Sequence, residues 1–237
     1  MKRRDMDWRA VTQLAEHVLE RLDWRALGEI YFHWGGEQFW RERLPQVVLL
    51  GRRLGMRLLQ QLPRRGASLW VGAGVAELPV LLAEVLMHER TVVAANLRER
   101  ECEVMNAGLL AAAPDVGLRF VAGDARTVEQ GRSFDHLGCI SVFTDPEIWP
   151  VISDVAYGRV APVQLDVERF LTERESMREV AKGLFARLAR PGLVTTSAEE
   201  VAWFLEQAED DGASVEASED LVETAVVGDP VGFLTVR

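Results

Sequence analysis

The amino-acid sequence predicts an α/β protein: a doubly wound, mostly parallel seven-stranded sheet with a C-terminal antiparallel hairpin, preceded by an N-terminal helical cap. Three observations support this fold class. The first 65 residues show only helical periodicity, five short apolar runs after Ser68 alternate with helix-like segments, and two further strand-like runs end the chain. Such alternation is typical of a parallel sheet covered by helices on both faces. A chain of 237 residues with 48% hydrophobic content can bury a sheet of this kind.

The predicted cap comprises residues 1–66. Asp7 can cap a helix whose apolar residues recur at steps of three and four, and Asp23 can cap a short second helix through Tyr31. Pro45 suits the start of a third helix, because proline is favoured in the first helical turn. The apolar face predicted for this third helix is formed by Val48, Leu49, Leu58, Leu59 and Leu62.

The predicted second domain comprises residues 67–237. Residues 1–67 carry 13 Lys and Arg against 8 Asp and Glu, whereas residues 68–237 carry 14 against 29, and this change in charge supports a boundary near Gly66. The predicted strands are the apolar runs 69–71, 91–95, 118–121, 137–142, 193–196, 221–227 and 231–236, and the predicted helices between them are 76–88, 98–112 and 164–189.

Two local patterns complete the predicted second domain. Ser197 and Glu200 form a capping-box pattern, which predicts a helix from there to about Glu209. Gly228-Asp229-Pro230 separates the last two strand-like runs and therefore predicts a terminal hairpin.

The composition of the chain argues against several kinds of binding partner and against a membrane location. The net charge of −10 argues against nucleic acid or an anionic membrane as a partner. No apolar stretch reaches the roughly 18 residues of a membrane span, and no signal core follows the basic N-terminus, so we expect a soluble, cytoplasmic protein. Cys102 and Cys139 are expected to be buried, reduced thiols, and the four scattered histidines predict no metal site. The sequence leaves open whether the N-terminal helices cap this subunit or form a homodimer interface.

The strongest functional signal is the turn Gly72-Ala73-Gly74, which follows the first apolar run. Glycine has no Cβ, so a ligand can approach this backbone closely, and the next helix directs its free N–H groups toward the same place. A dinucleotide-binding turn would have a third glycine at position 77, where this chain has Glu77. The turn therefore predicts a cofactor site and argues against NAD or FAD.

Polar residues also follow the second and third predicted strands. Asn96 stands where an acidic residue usually binds ribose, and its amide can bond a hydroxyl both as donor and as acceptor. Asp124, within Gly123-Asp124-Ala125, lies at the strand edge where ligands collect in such sheets. Asn96 can also cap the helix that follows from Arg98, a role compatible with ribose contact, and Asp124 can cap a short helix, although ligand contact is favoured there.

These motifs, in this order, resemble those of class I S-adenosylmethionine-dependent methyltransferases over residues 68–237. The family's first turn reads acidic-x-Gly-x-Gly-x-Gly, its adenine motif resembles Gly123-Asp124-Ala125, and its Leu-x-Pro-Gly signature resembles residues 188–192. This chain departs from the family pattern at three positions. Trp70 replaces the acidic residue of the first turn, Ala76 replaces its last glycine, and Asn96 replaces the ribose-binding acid.

The resemblance implies a transferase with a Rossmann-like domain that binds S-adenosylmethionine and methylates a small-molecule acceptor. The implied cofactor contacts are Gly72, Ala73, Gly74, Glu77, Asn96, Leu97, Asp124, Ala125 and Val142. The implied substrate contacts are Tyr31, Phe143 and Asp145. The segment after the fourth strand lacks the Asn/Asp-Pro-Pro-aromatic motif, which argues against methylation of nucleic-acid bases or of glutamine. No catalytic residue is implied, since methyl transfer depends mainly on alignment of the reactants.

Two alternatives remain open at the level of sequence. Leu78-Pro79 after the glycine turn is similar to the turn of nicotianamine-synthase-like enzymes, which transfer the aminocarboxypropyl group of the same cofactor. The missing carboxylates at positions 70 and 96 are also compatible with a binding protein that kept the fold and lost the chemistry.

Overall fold

A computed structural model of the chain describes residues 7–31, 36–224, 226 and 228–237. The helices are α1 (Trp8–Glu20), α2 (Trp24–Tyr31), α3 (Gly36–Gln61), α4 (Leu78–Met87), α5 (Glu99–Ala112), α6 (Pro150–Ala156), α7 (Val167–Phe185) and α8 (Val201–Asp210), with short 3₁₀ turns at Pro162–Gln164 and Ala198–Glu200. The strands are β1 (Ala67–Val71), β2 (Thr91–Asn96), β3 (Phe120–Ala122), β4 (Phe134–Cys139), β5 (Leu188–Ser197), β6 (Val215–Ala217) and β7 (Val231–Val236).

The strands form one seven-stranded sheet in the order β3-β2-β1-β4-β5-β7-β6. Strands β1 to β5 pair in parallel, and β7 runs antiparallel to both β5 and β6. The predicted fold class is therefore confirmed. The chain order reverses between β1 and β4, and ligands of doubly wound sheets bind at such a switch point, beyond the carboxyl ends of the strands.

The position of β6 differs from the sequence prediction. Among the described residues of the predicted strand 221–227, pairing is limited to an isolated bridge from Val222 to Val231. The strand that pairs along β7 is Val215–Ala217. The reason is a turn that bends the chain after β6. Asp220 N donates to Ser218 Oγ over 3.2 Å, and Arg57 Nη2 binds that same hydroxyl over 2.9 Å. This turn interrupts the ladder before the apolar run begins.

The third helix also differs from its prediction. It begins at Gly36, and Pro45 lies in its interior, where a proline removes one backbone hydrogen bond without ending the helix. The predicted apolar face is also partly wrong, because Leu49, one of its residues, is 47% exposed. The buried residues of this helix, spaced by three or four, include Val47, Leu50, Leu54, Leu58 and Leu62.

The N-terminal helices pack on the side of the sheet that is covered by α4 and α5. Asp7 and Asp23 cap α1 and α2 as predicted, by accepting from Ala10 N and Ala26 N. The Trp8 ring lies so close to α3 that its Cη2 would be 2.1 Å from a Cβ at position 55. Gly55 therefore creates the space in which α1 docks.

Replacing Gly55 with alanine is expected to lower the free energy of unfolding by about 1 kcal/mol, and by roughly 2 kcal/mol at most if the helix propensity of alanine is fully realised. Overpacking typically costs about 1–3 kcal/mol, and the helix propensity of alanine returns at most roughly 1 kcal/mol of this. In a Trp8→Ala background the clash is absent, so the same change should instead raise stability. Urea denaturation of the four proteins checks this reversal of sign, and an equal effect in both backgrounds would contradict the packing role of Gly55.

The described residues carry neither a membrane-spanning helix nor a metal cluster. No described helix is both long and apolar enough to cross a membrane. Within the same residues, His, Cys, Asp and Glu form no group of three or more suited to a metal ion. Cys102 and Cys139 are buried and unpaired.

Candidate cofactor site

A cavity of about 460 Å³ lies at the carboxyl edge of the parallel strands. Its walls come from the ends of β1 and β2, the loops after β2, β3 and β4, and one side of α7. Its volume is within the range of small-molecule sites, roughly 300–1,000 Å³. The cavity therefore occupies the place at which the sheet topology predicts a ligand.

The structure brings together seven of the twelve residues that the sequence assigned to cofactor or substrate. Those that line the cavity are Gly72, Asn96, Leu97, Asp124, Ala125, Val142 and Asp145. Ala73, Gly74, Glu77 and Phe143 are buried and do not line it. The side chain of Tyr31 lies outside the described part of the chain, and no lining residue comes from the described parts of α1, α2 or α3.

The sequence predicted that the glycine turn offers free backbone amides to a ligand, and the structure differs from this prediction at two positions. Gly72 has φ +66°, and a Cβ there would lie 3.0 Å from Val142 Cγ2, so glycine both permits the turn and keeps the cavity floor open. Ala73 N donates to Ala95 O over 3.3 Å, and Gly74 N donates to Glu77 Oε2 over 2.8 Å. These two amides are thus bonded within the protein. Burial raises the pKa of Glu77, although the bond from Gly74 opposes the shift.

Asn96 joins the glycine turn to α5. Its Nδ2 donates to Ala73 O over 3.0 Å and to Glu101 Oε2 over 2.9 Å, and its Oδ1 accepts from Arg98 N over 2.9 Å. Both amide hydrogens are therefore engaged. Asn96 can therefore no longer donate to a ribose hydroxyl. It can still accept from one, through the remaining lone pair of Oδ1.

Sequence reasoning missed Glu101, which lies behind Asn96. Its side chain is fully buried, and its Oε1 has no hydrogen-bond partner among the described residues. Burial, and secondarily the charge of Asp145, raises the pKa of Glu101 to about 8. A sequence signal existed: Glu101 immediately precedes Cys102 and lies four residues before Met105, on the buried side of α5.

This raised pKa predicts that stability falls as the pH increases. Between the unfolded pKa near 4.5 and the folded value near 8, the unfolded chain has lost a proton that the folded chain keeps, so unfolding becomes easier. Each such group contributes up to about 1.4 kcal/mol per pH unit, and burial also raises the pKa of Glu200 to about 8. Glu101→Gln should therefore make the slope measured by denaturation between pH 5 and 8 less negative by up to about 1.4 kcal/mol per pH unit. Glu99→Gln, which changes an exposed carboxyl at the start of the same helix, is the matched control. An unaltered slope in Glu101→Gln would show that this carboxyl is ionised in the folded protein.

The charged side chains of the cavity wall are paired with one another. Arg126 binds Asp124 through its Nε and Nη2, at 2.9 and 2.5 Å from Oδ2, and this bonding lowers the pKa of Asp124. Arg98 Nη2 bridges Asp145 and Glu147 at 3.0 and 2.8 Å. The two arginines were not predicted, because the sequence does not show which surface charges face a cavity.

The loop after β4 forms another wall of the cavity. Phe143 N and Thr144 N donate to Glu200 Oε1 over 2.6 and 3.2 Å, and Ser141 N donates to Ser197 Oγ over 2.8 Å. The predicted capping box at Ser197 and Glu200 is therefore wrong, because both side chains hold this loop and neither caps the following turn. The loop then enters α6, a helix that the sequence did not reveal.

Two large aromatic side chains lie away from the cavity. The Phe143 ring is fully buried and packs on Trp203 and Phe204, with ring centroids 6.0 and 5.8 Å away. The Trp70 indole belongs to the buried cluster beneath α4 and α5, where its Nε1 donates to Glu84 Oε1 over 2.7 Å. The cavity is consequently not filled by Trp70, the residue at which the chain departs most from the acidic-x-Gly-x-Gly pattern.

No protein-family profile matches the chain, and no curated protein sequence matches it. Solved structures do. A methyltransferase from Pyrococcus furiosus is 14% identical with a TM-score of 0.51, over 78% of this chain and 82% of that one. TrmN from Thermus thermophilus is 18% identical with a TM-score of 0.50, over 81% of this chain and 49% of that one, so this chain spans about half of its length. A precorrin-6y C5,15-methyltransferase from Geobacter metallireducens is 16% identical, over 78% of this chain and 86% of that one, with a TM-score of 0.49.

These identities are low, and the likeness concerns the arrangement of the backbone. The chain therefore has the fold of class I S-adenosylmethionine-dependent methyltransferases.

Proposed function

We propose that this protein binds S-adenosylmethionine in the cavity at the sheet edge and transfers its methyl group to a small-molecule acceptor. The cavity itself carries the proposal, since three motif positions read from the sequence, Gly72, Asn96 and Asp124, converge on its wall. The fold shared with the methyltransferase from Pyrococcus furiosus supports the same activity.

The residues around the cavity suit this cofactor in charge and in shape. Three acidic side chains and two arginines line it, which leaves one excess negative charge beside a ligand that carries a sulfonium. Asn96 Oδ1 offers a lone pair for a ribose hydroxyl, and Leu97 and Ala125 provide apolar contacts for adenine. Gly72 leaves the floor open for the remainder of the molecule.

The cofactor would supply an activated methyl group, so the protein's own task is to align the reactants and to exclude water. The walls serve this purpose through Ile140, Val142 and Trp149 on the β4 side and Val180 and Leu184 on α7. These residues make the cavity largely apolar beyond the carboxyl end of β4, next to the point where the chain order of the sheet reverses.

Calorimetric titration with S-adenosylhomocysteine and with S-adenosylmethionine tests cofactor binding. We expect saturable heat and a rise in the melting temperature with both ligands. The absence of heat and of a thermal shift at millimolar ligand would contradict the proposal.

The product then identifies which transfer occurs. S-adenosylhomocysteine formed in the presence of a mixture of acceptors identifies methyl transfer. Methylthioadenosine would identify transfer of the aminocarboxypropyl group, and tight binding without either product would identify a protein that only binds the cofactor.

A further inference from the structure

Ser141 has an unusual backbone conformation at the edge of the cavity. It follows β4 directly, lines the cavity, and has φ +55°, in the left-handed region that residues other than glycine seldom adopt. Conformations of this kind are unfavourable and persist where the surrounding structure holds them, often at functional sites. Here Ser197 holds the conformation, by accepting from Ser141 N over 2.8 Å.

The hydrogen bonds of the two serines determine where the hydroxyl of Ser141 is directed. Ser197 is fully buried, and its Oγ already accepts from Ser141 N. Its own hydrogen needs an acceptor, and Ser141 Oγ, 3.3 Å away, is the one within hydrogen-bond distance among the described residues. Ser197 therefore donates to Ser141, which leaves the hydroxyl hydrogen of the half-buried Ser141 without an acceptor in the described structure and available to a ligand.

The surroundings of this donor favour an uncharged partner. The neighbouring walls are apolar, with Ile140 and Val142 on either side of Ser141 in the chain and Ile148 and Trp149 farther along the same loop. The charged groups on the wall are already in ion pairs: Arg98 with Asp145 and Glu147, and Arg126 with Asp124. A charged methyl acceptor would have to displace one of these ion pairs to obtain a counter-charge, whereas a neutral acceptor needs none.

We propose that Ser141 determines acceptor specificity by donating a hydrogen bond to a neutral, mainly apolar methyl acceptor, at a carbonyl oxygen or an aromatic nitrogen. Ser197 acts as a positioning residue, because it orients the hydroxyl and fixes the left-handed backbone. The proposal rests on the proposed function, since it takes the molecule bound beside Ser141 to be the methyl acceptor.

The test compares two aromatic probes of nearly equal shape, quinoline and naphthalene, of which only quinoline has a nitrogen that accepts a hydrogen bond. The protein is first titrated with S-adenosylhomocysteine, and each probe is then titrated into the saturated complex at mildly alkaline pH, where quinoline is uncharged. We expect quinoline to bind roughly threefold to tenfold more tightly than naphthalene, the range of one neutral hydrogen bond.

Variants then locate the donor. Ser141→Ala should abolish the preference for quinoline, and Ser141→Gly should do so as well while also accommodating φ +55° without strain, which keeps the test informative if alanine destabilises the loop. Both variants should keep the affinity for S-adenosylhomocysteine. Ser176→Ala, which removes an exposed hydroxyl bonded only to Thr172 O on α7, should behave like the native protein.

The outcomes that overturn the proposal are specific. Equal affinities for the two probes in the native protein, or a preference that survives in both Ser141 variants, would exclude Ser141 as the donor. Weaker binding of S-adenosylhomocysteine by Ser141→Gly would assign the hydroxyl to the cofactor and would also overturn it. If the native protein binds no S-adenosylhomocysteine, the proposed function fails, while the probe comparison on the unliganded protein still decides the role of Ser141.

Discussion

Replacing Glu84 with alanine is expected to lower the free energy of unfolding by about 3–5 kcal/mol. This carboxylate is 1% exposed and is the centre of a polar network beneath the sheet. It accepts from Trp70 Nε1 over 2.7 Å, from Arg90 Nε over 3.1 Å and from Ser68 Oγ, and His136 Nδ1 lies 3.4 Å away. Removing one partner of a buried ion pair typically costs this much, and here it also leaves the indole N–H of Trp70 without its acceptor, although Arg90 keeps Asp135 as a second partner.

Chemical denaturation measures the effect, and a second ion pair provides the matched control. Glu216 pairs with Arg237 over 3.0 Å, but both side chains are more than 60% exposed. Exposed pairs contribute about 0–1 kcal/mol, so Glu216→Ala should change stability little. A loss of about 1 kcal/mol or less in Glu84→Ala would contradict the central position given to Glu84 in the network.

This network explains why Trp70 stands at a position where the resembling turn has an acidic residue. Trp70 replaces an acidic residue of the methyltransferase turn, and its indole packs beneath the sheet against Gly138, its register partner on β4. A Cβ at Gly138 would be 2.3 Å from the indole. Trp70, Glu84 and Gly138 thus depend on one another although they are far apart in the chain, and a single sequence contains no signal of such long-range pairing.

The elements themselves were predictable wherever local chemistry determines them. Asp7 and Asp23 each begin a helix by accepting a hydrogen bond from the backbone amide three residues later in the chain. Such a local contact can be predicted from the sequence alone. Predictions failed where a tertiary contact overrides the local pattern. Ser197 and Glu200 have the spacing of a capping box. Both side chains instead accept hydrogen bonds from backbone amides of the loop after β4, which have no partner in a strand or helix.

The candidate site divides in the same way. The apolar runs locate the carboxyl ends of the strands, so the sequence predicts Gly72, Asn96 and Asp124 at one edge of the sheet, where all three line the cavity. Residues that reach the cavity from α7, and the arginines that neutralise its acids, could not be identified, because their position depends on how the helices pack. Val180 is one of these residues of α7.

Replacing Val180 with tryptophan is expected to weaken the binding of S-adenosylhomocysteine at least about 100-fold, which corresponds to roughly 2.7 kcal/mol. Val180 is half-buried on α7 and contributes to the cavity wall. An indole at this position can enter the open volume of about 460 Å³, so it should displace the ligand without unfolding the helix. Calorimetric titration measures the loss, and the melting temperature without ligand should stay near that of the native protein.

Val163→Trp is the matched control, because Val163 is 91% exposed and does not line the cavity. The same tryptophan there should leave the affinity unchanged, since it adds surface without filling the site. Native affinity in both variants would place the ligand outside this cavity, since a bound adenosine and an inserted indole cannot occupy the same volume. Loss in Val180→Trp alone would tie the cofactor to the α7 wall, which sequence motifs do not reach.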